Sequence, residues 1–276
     1  VTHDWRNHEF IFVGGMHRSG TTLLADALGE TQNVSAFANT GAHMNEGQFL
    51  QDVYLPGYHM GGVTRWARDD RSHLTEKDAS TSDIPERLWE SWSPFWNLES
   101  KYLVEKTPQN LTKTRFLQKA FPNSKYLIIT RHPVTQALAV MKWSPRRAEK
   151  LGWRFDRLIE HWLIAHETFQ RDSTHLRDVT LVKYENISAD PNEAVANLSN
   201  GMGINLAPKK FLEYNVRRAS EYAIRWNDRK LYGLFPEYGP VLSFLGSLVV
   251  STQFSSIRRR YESRLNSFGY SFDDVH

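Results

Sequence analysis

Apolar residues along the chain fall into two rhythms. Phe10-Ile11-Phe12-Val13, Tyr126-Leu127-Ile128-Ile129 and Val179-Thr180-Leu181-Val182 are continuous β-branched or aromatic runs. Each predicts a strand buried on both faces. Tyr102-Leu103-Val104 is a weaker run of the same kind. Between the runs, apolar positions recur at helical spacing. Leu23, Leu24, Ala27 and Leu28 begin one helix, and Trp153, Leu158, Ile159, Trp162, Ala165, His166 and Phe169 form the longest stripe. Asn110 to Ala120 predicts another helix, ended by Phe121-Pro122-Asn123. Strands alternating with helices predict an α/β chain, a central parallel sheet flanked by helices, in a single domain over 1–276. Residues 57–83 are charged, contain glycine and are weakly patterned, which predicts a surface insertion or lid.

Composition narrows the picture. The chain is 40% apolar, enough for a large core, and its nine Trp, eleven Tyr and fifteen Phe are expected mostly inside it. Thirty-four basic against thirty-one acidic residues leave a formal charge of +3. That balance argues against a nucleic-acid partner and suits a small anionic ligand. The absence of cysteine excludes disulfides, thiolate catalysis and Cys-bound zinc, and the histidines at 17, 132, 161 and 166 lack metal-ligand spacing. The longest apolar stretch, Val241 to Val250, is about half of what a membrane span needs. Val1 to Glu9 is polar and has no signal-peptide core, so the expectation is a cytoplasmic protein without a membrane span, with a removed leader left open.

Candidate chemistry begins after the first strand. Gly15-Met16-His17-Arg18-Ser19-Gly20-Thr21-Thr22 links that strand to a helix. Backbone N–H groups of such a turn, from Gly15 and His17 through Thr22, form an anion cradle, and the helix dipole adds to its field. The spacing GxxxxG is that of a nucleotide-hydrolase loop. The next residue is Thr21 instead of the lysine that grips β- and γ-phosphates, and the cation of the turn is Arg18. GMHRSGTTLL resembles the 5′-phosphosulfate loop of sulfotransferases that use 3′-phosphoadenylyl sulfate (PAPS). The likeness is to bacterial-type and tyrosylprotein-type members more than to phenol or steroid ones. It implies the P-loop NTPase-like sulfotransferase fold, PAPS as donor, the bisphosphate PAP as product and no metal. It also implies that Arg18 contacts the 5′-phosphate and bridging oxygen, with Ser19, Gly20, Thr21 and Thr22 holding the phosphate.

Two further segments gain weight from that resemblance. Tyr126-Leu-Ile-Ile-Thr-Arg131-His132-Pro133 is a strand ending in Arg at the edge where ligands of open α/β sheets lie. The planar fork of Arg131 suits a 3′-phosphate. The family usually places Ser eight residues on, where this chain has Ala139; Thr135 and Ser144 are out of register. Val182-Lys183-Tyr184-Glu185-Asn186 resembles the family's strand-Tyr-Glu segment, so Tyr184 either borders the adenine or packs at a strand end. Arg225 and Arg229 are the candidates for a late basic contact.

Sulfuryl transfer needs an in-line nucleophile, a base and cations at the leaving oxygen. Arg18 fits the charge role, and Lys106 in Val104-Glu105-Lys106-Thr107-Pro108 is a second candidate. The position where small-molecule members carry a basic His is Pro108, so a carboxylate base is expected. Glu46 in His43-Met44-Asn45-Glu46-Gly47-Gln48 is the candidate, against a solvated loop acid with His43 as base. The expected acceptor is a hydroxyl or amine of a small molecule, carbohydrate or peptide. The competing readings are a P-loop kinase and a non-catalytic PAP or nucleotide sensor; no oligomeric state is predicted.

Overall fold

The computed structural model describes residues 4–81, 83–143, 155–206, 222, 224, 226 and 255–275. By contacts the chain divides into two compact units, 1–130 with 165–214, and 131–164 with 215–276. The first holds a five-stranded sheet of order β2-β3-β1-β4-β5. The strands are β1 (Glu9–Gly15), β2 (Val34–Ala36), β3 (Tyr102–Lys106), β4 (Ser124–Thr130) and β5 (Val179–Lys183), all paired in parallel. The fold is therefore α/β, as the alternating pattern predicts.

The central strand β1 is apolar because both its faces are covered. Phe10 and Phe12 share one face; Phe10 packs against Trp96 and Phe121, and Phe12 against Trp92, Phe121 and Tyr126. Trp92 and Trp96 are buried in the core. The register pairs Val13 with Lys106 and Gly15 with Ile129. The C-terminal ends of β1, β3 and β4 thus lie at one edge of the sheet, where ligands of parallel sheets bind.

Helices α1 (Thr21–Gly29), α2 (Ile84–Trp92), α3 (Thr114–Ala120), α6 (Tyr184–Ala189) and α7 (Pro191–Met202) belong to the first unit. In the second lie α4 (Pro133–Trp143) and α8 (255–266). The long stripe forms α5 (Phe155–Ser173), which runs through both units. Trp153 lies outside the described residues.

Two expectations need correction. The helix expected from Asn110 to Ala120 is a 3-10 turn, Pro108–Thr112, then α3, with the break at Lys113 (φ −125°, ψ 11°). Asn110 causes the difference, because its amide is spent on the Val13 carbonyl and the Glu105 carboxylate. Strand β5 is not buried on both faces: it is the sheet edge, and Leu181 is 63% exposed. Part of the segment 57–83, expected as a surface insertion or lid, is ordered at residues 57–72. They fold into four short 3-10 helices that bury Met60, Val63 and Trp66, an apolar spacing too irregular to read as one helix.

Candidate active site

The turn between β1 and α1 is built on a left-handed backbone. Arg18 has φ 68° and Gly20 φ 103°. An added Cβ at Gly20 would lie 3.0 Å from the Tyr184 ring, and one at Gly15 2.6 Å from the Ile129 carbonyl oxygen. The N-terminus of α1 has no side-chain cap. Its first N–H groups are therefore donors without a helical partner. Ser19 is fully buried and its Oγ meets no protein partner. A buried hydroxyl in that state costs about 1–3 kcal/mol unless a ligand or water satisfies it. Uncapped helix N–H groups, an orphaned hydroxyl and close-packed glycines fit an anion at this turn.

The end of β3 carries the second part. Lys106 is 4% exposed, and its Nζ donates to the Met44 carbonyl at 2.7 Å and to Glu46 Oε1 at 3.3 Å. Glu46 is buried, and its Oε2 accepts from Gln48 Nε2 at 2.5 Å. Burial raises the Glu46 pKa above the ordinary carboxylate range, against the opposing pull of Lys106, Gln48 and His43. The residues before it are strained, since Met44 and Asn45 have φ of 54° and 50°. Asn45 Oδ1 accepts from Thr40 N and Oγ1, and Lys106 holds Met44. The two parts meet at a cavity of about 180 Å³, lined by Thr22, Asp26, Phe37, Met44 and Lys106 among others.

The sequence profile described as "Sulfotransferase family" matches residues 10–208. The chain belongs to the sulfotransferase family. Among solved structures it is similar to the sulfotransferase domain from the curacin biosynthetic pathway. That match has 16% identity, TM-score 0.48 and covers 76% of this chain and 79% of that one. Sulfotransferase STF1 from Mycobacterium tuberculosis H37Rv is similar at 18% identity, TM-score 0.47, with 78% and 76% covered. A sulfotransferase from Alicyclobacillus acidocaldarius matches at 17% identity, TM-score 0.47, with 79% and 90% covered. No curated protein matches the sequence.

Membership of the sulfotransferase family implies a sulfuryl donor and an acceptor. Of the residues expected to serve them, Thr22 and Lys106 line one cavity of the first unit, and Lys106 bonds to Glu46. Arg18 is exposed. His43 is exposed and packs edge-on against Phe49, at 6.2 Å. Tyr184 opens α6 and is 3% exposed, its ring against Gly20. Arg131 opens the second unit. It is 7% exposed, its carbonyl accepts from Trp162 Nε1 at 3.1 Å, and its guanidinium lies 5.9 Å from the Tyr222 ring centroid. Ala139 is buried in α4, and the Thr135 hydroxyl donates to the His132 carbonyl. Arg225, Arg229 and Ser144 lie outside the described residues.

Sequence reasoning missed Glu105, Thr107 and Gln48. Glu105 is fully buried, and burial raises its pKa although Thr107, Asn110 and the Gly47 N–H all donate to it. The available signal was a glutamate inside the buried strand run Leu103-Val104-Glu105. No helix among the described residues is long and apolar enough to cross a membrane.

Proposed function

We propose that this protein transfers a sulfuryl group from PAPS to a hydroxyl or amine of an acceptor, with Glu46 as base. The observation that carries the reading is one shared cavity: Thr22 of the anion turn and Lys106 line it, and Lys106 is bonded to Glu46. The donor supplies a sulfuryl group on the oxygen of its 5′-phosphate. The turn from Arg18 to Thr22 holds that phosphate through N–H, hydroxyl and guanidinium donors. Glu46 takes the proton of the acceptor hydroxyl or amine. The new O–S or N–S bond forms as the bond from sulfur to the bridging oxygen breaks. Arg18 and Lys106 stabilise the charge left on that oxygen, which departs with PAP. On the second unit, Arg131 is proposed to grip the 3′-phosphate, and on the first Tyr184 to border the nucleotide.

The raised Glu46 pKa makes it a stronger base than a solvated glutamate, and it works only when ionised. Turnover should therefore rise as pH climbs through a value above 4.5. The test titrates PAP, and ATP with and without Mg²⁺, by calorimetry, then follows transfer of ³⁵S from labelled PAPS over a panel of phenols, sugars and tyrosine peptides. PAP should bind without metal. Glu46→Gln should lower turnover about 10²- to 10⁴-fold with PAP affinity intact, and Arg18→Ala should abolish transfer and weaken PAP. Preference for Mg-ATP would show a kinase, and PAP binding without transfer to any acceptor a sensor. Full activity in Glu46→Gln removes it as base.

A further inference from the structure

We propose that Glu105 is a positioning residue: its buried carboxylate fixes Met44–Gln48 across the end of β3 and so sets where the Glu46 carboxylate stands. The inference rests on the reading of Glu46 as base and adds a residue with no part in that chemistry.

Adjacent residues of a strand point to opposite faces. Lys106 therefore stands on one face of β3 and Glu105 on the other. The 44–48 segment engages both. On the Lys106 side are the Met44 carbonyl and Glu46. On the other side the Gly47 N–H donates to Glu105 Oε1 at 2.9 Å, and the Gln48 N–H donates to Thr107 Oγ1 at 3.2 Å. Thr107 Oγ1 in turn donates to Glu105 Oε1 at 2.6 Å. The segment thus straddles the strand end, with Glu46 at the crossing point.

A carboxylate is the side chain this place requires. It only accepts, and three donors converge on it: Gly47 N, Thr107 Oγ1 and Asn110 Nδ2. An apolar side chain would leave the Gly47 N–H and the Thr107 hydroxyl without this acceptor, and Asn110 Nδ2 with the Val13 carbonyl alone. Close approach matters as well, because a Cβ at residue 47 would lie 2.5 Å from Glu105 Oε1. The far side of the segment is pinned too. Trp92 Nε1 donates to the Gly47 carbonyl at 3.1 Å, and Gln48 Oε1 accepts from Gly57 N at 2.8 Å. Gln48 Nε2 then holds Glu46 Oε2. Two consecutive left-handed residues, Met44 and Asn45, persist only where their surroundings over-determine them. The anchored segment supplies that constraint. The charged groups that act on Glu105 and Glu46 are Lys106, Lys113 and His43.

The test is a ¹³C side-chain carboxyl NMR titration of Glu46, assigned by the signal lost in Glu46→Gln, in the wild-type protein, Glu105→Ala and Glu105→Gln. Glu105→Gln removes the charge and turns its amide toward Asn110, but keeps an oxygen for the Gly47 N–H and the Thr107 hydroxyl, the contacts that face the 44–48 segment. Its Glu46 titration should stay near wild type. Glu105→Ala removes the anchor; Glu46 should gain solvent and titrate lower by about one unit. Conversion of PAPS to PAP should fall about tenfold with PAP affinity unchanged, the pattern of a misplaced group. A folded Glu105→Ala with Glu46 titrating as in wild type overturns the proposal, as does a Glu105→Gln shift as large as that of Ala. Should Glu105→Ala not fold, Gly47→Ala displaces the same segment from the other side while Thr107 and Asn110 still satisfy Glu105. It should shift Glu46 the same way, and an unshifted Glu46 there is equally decisive. The titration needs no ligand, so a wild-type protein that fails to bind PAP would remove the donor reading and leave this result standing.

Discussion

Lys113 ends the 3-10 turn before α3 at 1% exposure, its Nζ 5.4 Å from the Tyr54 ring centroid. Burial pushes its pKa down to about 7, only partly countered by Glu105. A lysine whose folded pKa lies below its unfolded 10.5 binds fewer protons folded than unfolded across that window. Its burden on stability is therefore full below pH 7 and fades as pH rises toward 10.5. Lys113→Met should stabilise the protein, and by more at pH 6 than at pH 9.5, as read from urea midpoints. An equal gain at both pH values would mean that Lys113 is not desolvated. The family resemblance singled out Glu46 and Lys106 as candidates. Sequence reasoning passed over Lys113 and Glu105, because a charged residue next to an apolar one looks solvated until the covering segments are known.

The turn between β1 and α1 is the element most fully expressed in local sequence. A continuous apolar run, glycines and a helical stripe follow one another within about twenty residues, and each acts through short-range sterics. Gly20 is its most exacting position. Gly20→Ala would force a Cβ into a left-handed backbone and against Tyr184, costing about 1–2 kcal/mol. Thermal denaturation should show a midpoint lower by roughly 2–8 °C, with PAP binding weakened as well. An unchanged midpoint would show that this backbone relaxes freely. Elements held by distant partners were less legible. The break at Lys113 follows from Asn110 bonding to β1 and Glu105, and the exposure of Leu181 from the edge position of β5. Neither leaves a mark in the hydrophobic period.

At the scale of the whole molecule, ligand binding is tied to folding. PAP that binds only the folded state at one hundred times its Kd should add about 2.7 kcal/mol to the unfolding free energy. Differential scanning calorimetry with PAP, and with ATP at equal concentration, reads this as a midpoint rising with PAP. A midpoint insensitive to millimolar PAP would count against the proposed donor.

The α/β class, the strand-turn-helix of the proposed anion site and the family resemblance follow from residues 10–28 and the alternating runs behind them, because strand and helix periods and glycine backbone preferences are local. Only the tertiary structure decided which acid stands beside Lys106, sixty residues from Glu46, and that a second glutamate holds that acid's segment in place. Register, burial and desolvation arise when distant segments cover one another, and no window of the chain contains that information.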